Sequence, residues 1–356
     1  MMMNEYKTIN DEFSQKDARP FRHPLFCIQY SIFLGLLLLI GCNESNENTN
    51  PVLSENIVET DSLAPIMLDD IHYYTLDRAA TNQFFEQNFG TRAMLEDSPN
   101  PFEFIDFQLV RRGQSTINIS KQGPFPGIRV GDPARWQRKP IEPSPDNPPR
   151  YGVHWLALGT KNLAASKAKL KENGVEIVEE DFQLPYSDAK AMLCYGPDYN
   201  LIVVTEKTND QGATPYFVDH LLLLVEDLSA NRKFFTEVFR GREVIEGVHY
   251  VVMEIANHTF VLAEPEALGI ERETVLRREA GVFKPDIDHL GFLYENLQPA
   301  YDNAIANNYT FLSKPIPISY YDKPTLYTFA ITYSPDKLQC ELFEEKGRVS
   351  SRAQYR

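Results

Sequence analysis

Three side chains in the C-terminal half of the sequence have the types that hold a divalent metal. His220 stands near the start of DHLLLLV (219–225), His289 near the start of IDHLGFL (287–293), and Glu341 inside SPDKLQCELFE (334–344). A divalent iron or manganese ion takes neutral imidazoles with a carboxylate and keeps positions open for substrate and oxidant. All three segments read as strands, in which residues two apart share a face. His220 then faces with Leu222 and Leu224, His289 with Gly291 and Leu293, and Glu341 with Gln339 and Phe343. A carboxylate between Cys340 and Leu342 is costly to bury unless something positive sits against it. Taken singly, either His fits a satisfied core histidine and Glu341 an edge residue. Together, 69 and then 52 residues apart, they predict a metal site.

The elements that must carry these residues repeat along the chain. IHYYTL (71–76) reads as a strand, and Asp77 opens a helix with Phe84, Phe85 and Phe89 at helical spacing before Gly90. DHLLLLV and Asp227 do the same for Phe234, Phe235 and Phe239, so that FFEQNFGTRAMLE (84–96) and FFTEVFRGREVIE (234–246) match in spacing. VHWLAL (153–158) leads into a helix around 162–173, and IDHLGFL into one around 297–307. These last two modules close with GPDYNLIVVTE (196–206) and SPDKLQCELFE, where Asp198 and Asp336 hold the equivalent turn position. Each unit reads as strand, helix and about three strands. Alone it cannot bury its sheet face, so it is expected to pair with its sequence neighbour around a concave sheet.

This organisation, carried by DHLLLLVEDL at 219–228 and by the PDKLQCELFE strand, resembles the vicinal oxygen chelate superfamily, the relatives of glyoxalase and the extradiol dioxygenases, over about residues 68–346. The resemblance implies an α+β fold of four βαβββ modules paired into two domains, with curled mixed sheets around a central pocket. The N-terminal domain would span 68–208 with a Pro-rich insertion at 124–149. The C-terminal domain would span 215–346, followed by a tail at 347–356, with Thr205 to Pro215 as the linker between domains. It also implies that His220, His289 and Glu341 form a two-His, one-carboxylate triad in the second domain. The fourth ligand of glyoxalase and epimerase relatives falls near Val261, which cannot coordinate. In the first domain, His72 and His154 take the opening-strand positions and Asn118 stands near the module-one position. Val203 replaces the carboxylate there, so this half reads as a worn copy.

For catalysis, His258 matches the position of the acid/base His of extradiol dioxygenases; a His in the turn before a strand can also simply be exposed. The Tyr that those enzymes place ten residues before the Glu ligand is Ile331 here, and their other loop His corresponds to Asp322. Tyr327 shares strand parity with Ile331, Tyr320 and Tyr321 lie in the adjoining loop, and His249 is a weaker proton-transfer candidate. The implied activity is that of a metal-dependent enzyme resembling extradiol-type dioxygenases, acting on a small aromatic or vicinal-oxygen substrate. Fe(II) is the favoured cofactor, and Mn, Zn and Ni are compatible with the same ligands. The alternatives are a glyoxalase-like isomerase or lyase, a non-enzymatic small-molecule-binding lipoprotein, and a structural envelope protein.

The chain of 356 residues carries 35 Lys and Arg against 50 Asp and Glu, a formal charge of −15, which argues against nucleic acid as a partner. No glycine-rich nucleotide loop is present. Residues 1–41 read as an export signal: Lys16, Arg19 and Arg22 precede the apolar run SIFLGLLLLI (31–40). The ending Leu39-Ile40-Gly41-Cys42 resembles a bacterial lipoprotein signal, which implies a lipid on Cys42, a tether over 42–67 and a place in the cell envelope. Of the four Cys, Cys194 and Cys340 are expected as free buried thiols. The expected partners are a small-molecule substrate and the lipid, with a homodimer compatible with the Pro-rich insertion as an arm.

Overall fold

The four sequence modules all form, and each opens on the same physical device. The computed structural model describes residues 61–90, 92–93, 102–106, 116–121, 139–140, 142–207, 216–256, 258–278, 282–283, 285–312, 314–319 and 326–345. The export signal, Cys42, residues 42–60 of the tether, most of the Pro-rich insertion, residues 208–215 of the linker, Tyr320, Tyr321, Asp322 and the tail lie outside the described residues. Module one comprises β1 (Met67–Thr75), α1 (Arg78–Phe89), β2 (Arg92–Ala93), β3 (Phe102–Asp106) and β4 (Thr116–Lys121). After β5 (Lys139–Pro140), module two comprises β6 (Gly152–Thr160), α2 (Leu163–Glu172), β7 (Ile177–Leu184), β8 (Ser187–Tyr195) and β9 (Leu201–Glu206). Module three is β10 (Tyr216–Leu224), α3 (Leu228–Phe239), β11 (Arg242–Glu246), β12 (Tyr250–Ile255) and β13 (His258–Ala263). After β14 (Val282–Phe283), module four is β15 (Ile287–Tyr294), α4 (Leu297–Ala306), β16 (Ile316–Ser319), β17 (Leu326–Tyr333) and β18 (Gln339–Glu345).

Each helix is started by an Asx side chain that accepts from a backbone N–H of its first turn: Asp77 from Ala80, Asn162 from Ala165, Asp227 from Ala230 and Asn296 from Gln298. Such a cap is worth about 1 kcal/mol against Ala. Apart from the pairing of β5 with β14, the strands assemble into two curled, mixed, eight-stranded sheets. Their orders are β16-β17-β18-β15-β1-β4-β3-β2 and β11-β12-β13-β10-β6-β9-β8-β7. The pairing therefore differs from the expectation of sequence neighbours. Module one shares a sheet with module four, through antiparallel β1 and β15, and module two shares one with module three, through antiparallel β6 and β10.

Chain connectivity accounts for the difference. Only residues 207–215 join β9 to β10 and hold modules two and three together, whereas 122–151 and 264–286 are long enough to carry the chain across to the other sheet. The sequence neighbours are instead tied through the repeated Pro-Asp turns. Asp198 accepts from Leu76 N–H at 3.2 Å, just past β1, and Asp336 accepts from Glu226 N–H at 3.3 Å and Asn231 Nδ2 at 2.7 Å. Val58–Arg356 accordingly form one compact unit.

One core joins the helix-bearing faces of both sheets. It includes Tyr73 and Phe85 of module one, Leu156 of module two, Phe235 and Phe260 of module three, and Phe292 of module four. Phe239 meets Phe292 at 4.2 Å and Phe89 meets Tyr216 at 5.1 Å, so the aromatic helix repeats are the groups that weld the sheets. Each such ring contributes about 1.5–3 kcal/mol of burial. Cys194 and Cys340 are free and buried, and burial pushes the Cys194 thiol up to about 12.

Candidate metal centre

The crossed pairing decides which donors meet. β1 and β15 run side by side with His72 opposite His289, and the two rings stack with centroids 3.9 Å apart and planes at 26°. Both are buried, at 2% and 6% exposure. On the far side of β15, β18 runs parallel and sets Glu341 beside Gly291, on the face that carries His289. His289 Nε2 lies 3.6 Å from Glu341 Oε1. Gln339 Nε2 donates to that same oxygen at 2.8 Å and fixes the carboxylate along the strand. The Glu341 side chain keeps 24% exposure, which lowers the cost of holding a charge there.

Beside Glu341 this face is largely apolar. Ile331 of β17 lies directly across from Glu341 and is 1% exposed; Phe329 pairs with Phe343 one step along, and Leu293 follows His289. On the other side of β1, the backbone of β4 brings Asn118 into register with His72. The donor set on this sheet is thus two imidazoles and one carboxylate on three adjacent strands, which suits a divalent metal in chemistry. The two rings lie face on face, and the three donor atoms do not converge within 4.8 Å. Among the described residues only His249, Glu264 and Glu266 do so. That group is a surface ion-pair cluster: His249 Nδ1 lies 3.0 Å from Glu264 Oε2, and Arg272 engages both carboxylates.

His220 is not brought to His289 and Glu341. It lies on β10, in the other sheet, with both ring nitrogens engaged: Nε2 lies 2.6 Å from the Tyr186 hydroxyl and Nδ1 3.0 Å from Asp219 Oδ2. Burial pushes the Asp219 carboxyl up, but His220, Lys207 and Thr205 outweigh it and hold the group below its ordinary value. Around this pair the sheet face is filled by Trp155, Ala157, Val203, Leu222 and Val261, none of which ligates a metal. His72 therefore shares a sheet with His289 and Glu341, and His220 lies on the apolar face of the other sheet.

The expected catalytic side chains also fall elsewhere. His258 opens β13 one residue before Thr259, the register partner of His220, so it takes the opposite face, with Phe260 and Leu262 of the main core. Its Nδ1 lies 3.1 Å from Ala256 O, and burial lowers its pKa. Tyr327 lies opposite Glu345, four residues along β17 from Ile331, which is about 13 Å at strand spacing. Asp322 is outside the described residues. The placement of His72 beside His289 carried one signal in the sequence: the long 122–151 segment after module one, which permits the crossing.

No family model matches the chain, and no curated protein matches it. Solved structures do. Glyoxalase I from Zea mays superposes with a TM-score of 0.56 at 13% identity, covering 81% of this chain and 96% of its own. A point mutant of that enzyme gives 0.57 at 12% identity, covering 80% and 94%. A putative dioxygenase from Bacillus subtilis gives 0.54 at 10% identity, covering 80% and 86%. At such identities the likeness is one of architecture, and the chain has the glyoxalase-type fold.

Proposed function

We propose that the chain is a metal-dependent enzyme whose divalent ion is held by His72, His289 and Glu341, Fe(II) being the favoured metal. The observation that carries the reading is the register pair of two buried histidines with a Gln339-anchored carboxylate on the next strand. Shared coordination would require the His72 ring to leave its stack on His289 for another staggered rotamer. A metal held by these residues would supply Lewis-acid activation of a substrate's oxygens and, if redox-active, activation of an oxidant. Gln339 holds the carboxylate in orientation, and Ile331, Phe329 and Leu293 exclude water from a small aromatic or vicinal-oxygen substrate. Tyr333, which shares that face two residues beyond Ile331, is the candidate proton donor on β17. Extradiol-type oxygenation is the preferred chemistry, because the β4 position in register with His72 is Asn118 and not a carboxylate, which leaves a three-ligand site. Lipid on Cys42 would place the enzyme at the cell envelope.

The test is metal content of the full chain purified anaerobically, beside His72→Ala, His289→Ala, Glu341→Ala and His220→Ala. One iron per chain, lost in the first three and kept in the last, followed by oxygen uptake with catechols, is the expected result. Loss in His220→Ala with retention in His72→Ala would overturn the ligand set.

A further inference from the structure

Modules one and two meet at a junction of the same build as that between modules three and four, and the two junctions are filled differently. Between α3 and the end of α4 sits Tyr309. Its ring meets Phe234 edge-on at 5.6 Å and its hydroxyl donates to Glu237 Oε2 at 2.7 Å. The backbone sets it there, its N–H bonding Ala304 O at 3.0 Å. At the end of α2 the same turn recurs, with Val175 N–H on Leu170 O at 2.9 Å. In α1, Phe84 and Gln87 stand where the repeat has Phe234 and Glu237. Val175 brings no ring, and an open groove of about 480 Å³ remains, lined by Phe84, Gln87 and Val175 among others.

We propose that this groove binds a small phenol with a neutral or cationic substituent, its ring against Phe84 and its hydroxyl on the Gln87 amide, in the place that Tyr309 occupies in the other copy. The chain itself shows what suits the junction: an aromatic ring with one hydroxyl donating to the side chain at this helix position. Gln87 Oε1 can accept that bond as Glu237 does. The groove falls within the range of small-molecule sites and exceeds a single tyrosine ring, so the ligand carries a substituent. Tyr195 and Tyr199, edge-to-face at 5.4 Å, wall the remaining space. Glu176 and Asp198 also line it, with no Lys or Arg among the lining residues, which disfavours an anionic substituent and suits an ammonium. The turn that presents Tyr199 is strained, with Asp198 and Tyr199 both left-handed at φ 54° and 56°, while in the matching turn of module four only Lys337 is, at 65°. None of these residues belongs to the metal centre.

Tyramine titrated calorimetrically into the full chain is the test. One site is expected, with phenethylamine and 4-hydroxyphenylacetate both weaker, and His289→Ala leaving tyramine affinity unchanged. The double variant Val175→Tyr with Gln87→Glu rebuilds the filled junction and should weaken tyramine at least about tenfold. Gln87→Leu, a change at an exposed position that adds no bulk, should erase the preference for tyramine over phenethylamine. No binding at millimolar tyramine, or binding that both variants leave intact, would overturn the proposal. Acetyl-glycyl-tyrosyl-glycinamide binding more tightly than tyramine would overturn the small-molecule assignment in favour of a peptide tyrosine.

Discussion

Replacing Asp336 by Asn perturbs the turn that ties module four to module three, and its effect depends on pH in a calculable way. Burial pushes this carboxyl up from 3.8 to about 6; the Asn231 and Glu226 hydrogen bonds oppose the rise and the nearby Glu226 and Asp227 charges add to it. A carboxyl that binds its proton more tightly in the folded than in the unfolded chain stabilises the fold below its unfolded value. That contribution is lost as pH rises through about 6. With these two values, acidification from about pH 7 to about pH 4.5 should stabilise the wild type by about 2 kcal/mol through this group alone. The substituted amide has nearly the same shape as the carboxyl and does not titrate. Guanidinium denaturation of both proteins at the two pH values isolates the term, because every other carboxyl, Asp198 included, titrates in both. The stability difference between wild type and variant should move by about 2 kcal/mol in favour of the wild type at the lower pH. Parallel pH dependence, or a relative gain by the variant, would refute the reasoning.

Gln339→Ala releases the Glu341 carboxylate and should weaken metal retention about 10–100-fold while leaving the thermal midpoint of the metal-free chain nearly unchanged, read by chelator competition. Asp286→Ala strips the carboxylate from Arg150, which donates to it at 2.6 Å with both side chains nearly fully buried, and should cost about 3–5 kcal/mol in denaturant unfolding. Tyr186→Phe removes the hydroxyl on His220 Nε2 and should cost about 1–3 kcal/mol, with metal content unaffected because this pair lies in the other sheet.

Much of the architecture was legible in the residues. The Asp77 and Asp227 caps and the Phe84-Phe85-Phe89 and Phe234-Phe235-Phe239 repeats are local signals, and local hydrogen bonding and helical spacing realise them. His289 and Glu341 were legible for a similar reason: both lie in module four, on adjacent parallel strands, so strand alternation alone puts them on one face. Which module completes their sheet is a different kind of information. The free edge of β15 can be paired by any opening strand, and β1 and β10 offer equally apolar partners with a His near the same place. Hydrophobic alternation does not distinguish them; connection length does. His220 and His258 are placed away from His289 and Glu341 at that step, and the face reversal of His258 is the ordinary consequence of a one-residue offset from Thr259.

Because module one is finished by module four, His72 and Glu341, which share one sheet, are 269 residues apart in the sequence. During synthesis, β1 emerges long before β15 exists, and its apolar edge must stay unpaired until nearly the whole chain has followed. Folding of that sheet is consequently a late, high-contact-order event, slow relative to the sheet that modules two and three can close between themselves. A nascent chain stalled after β13 and before β18 would carry a complete second sheet and an unfinished first one, with an exposed strand as its aggregation liability.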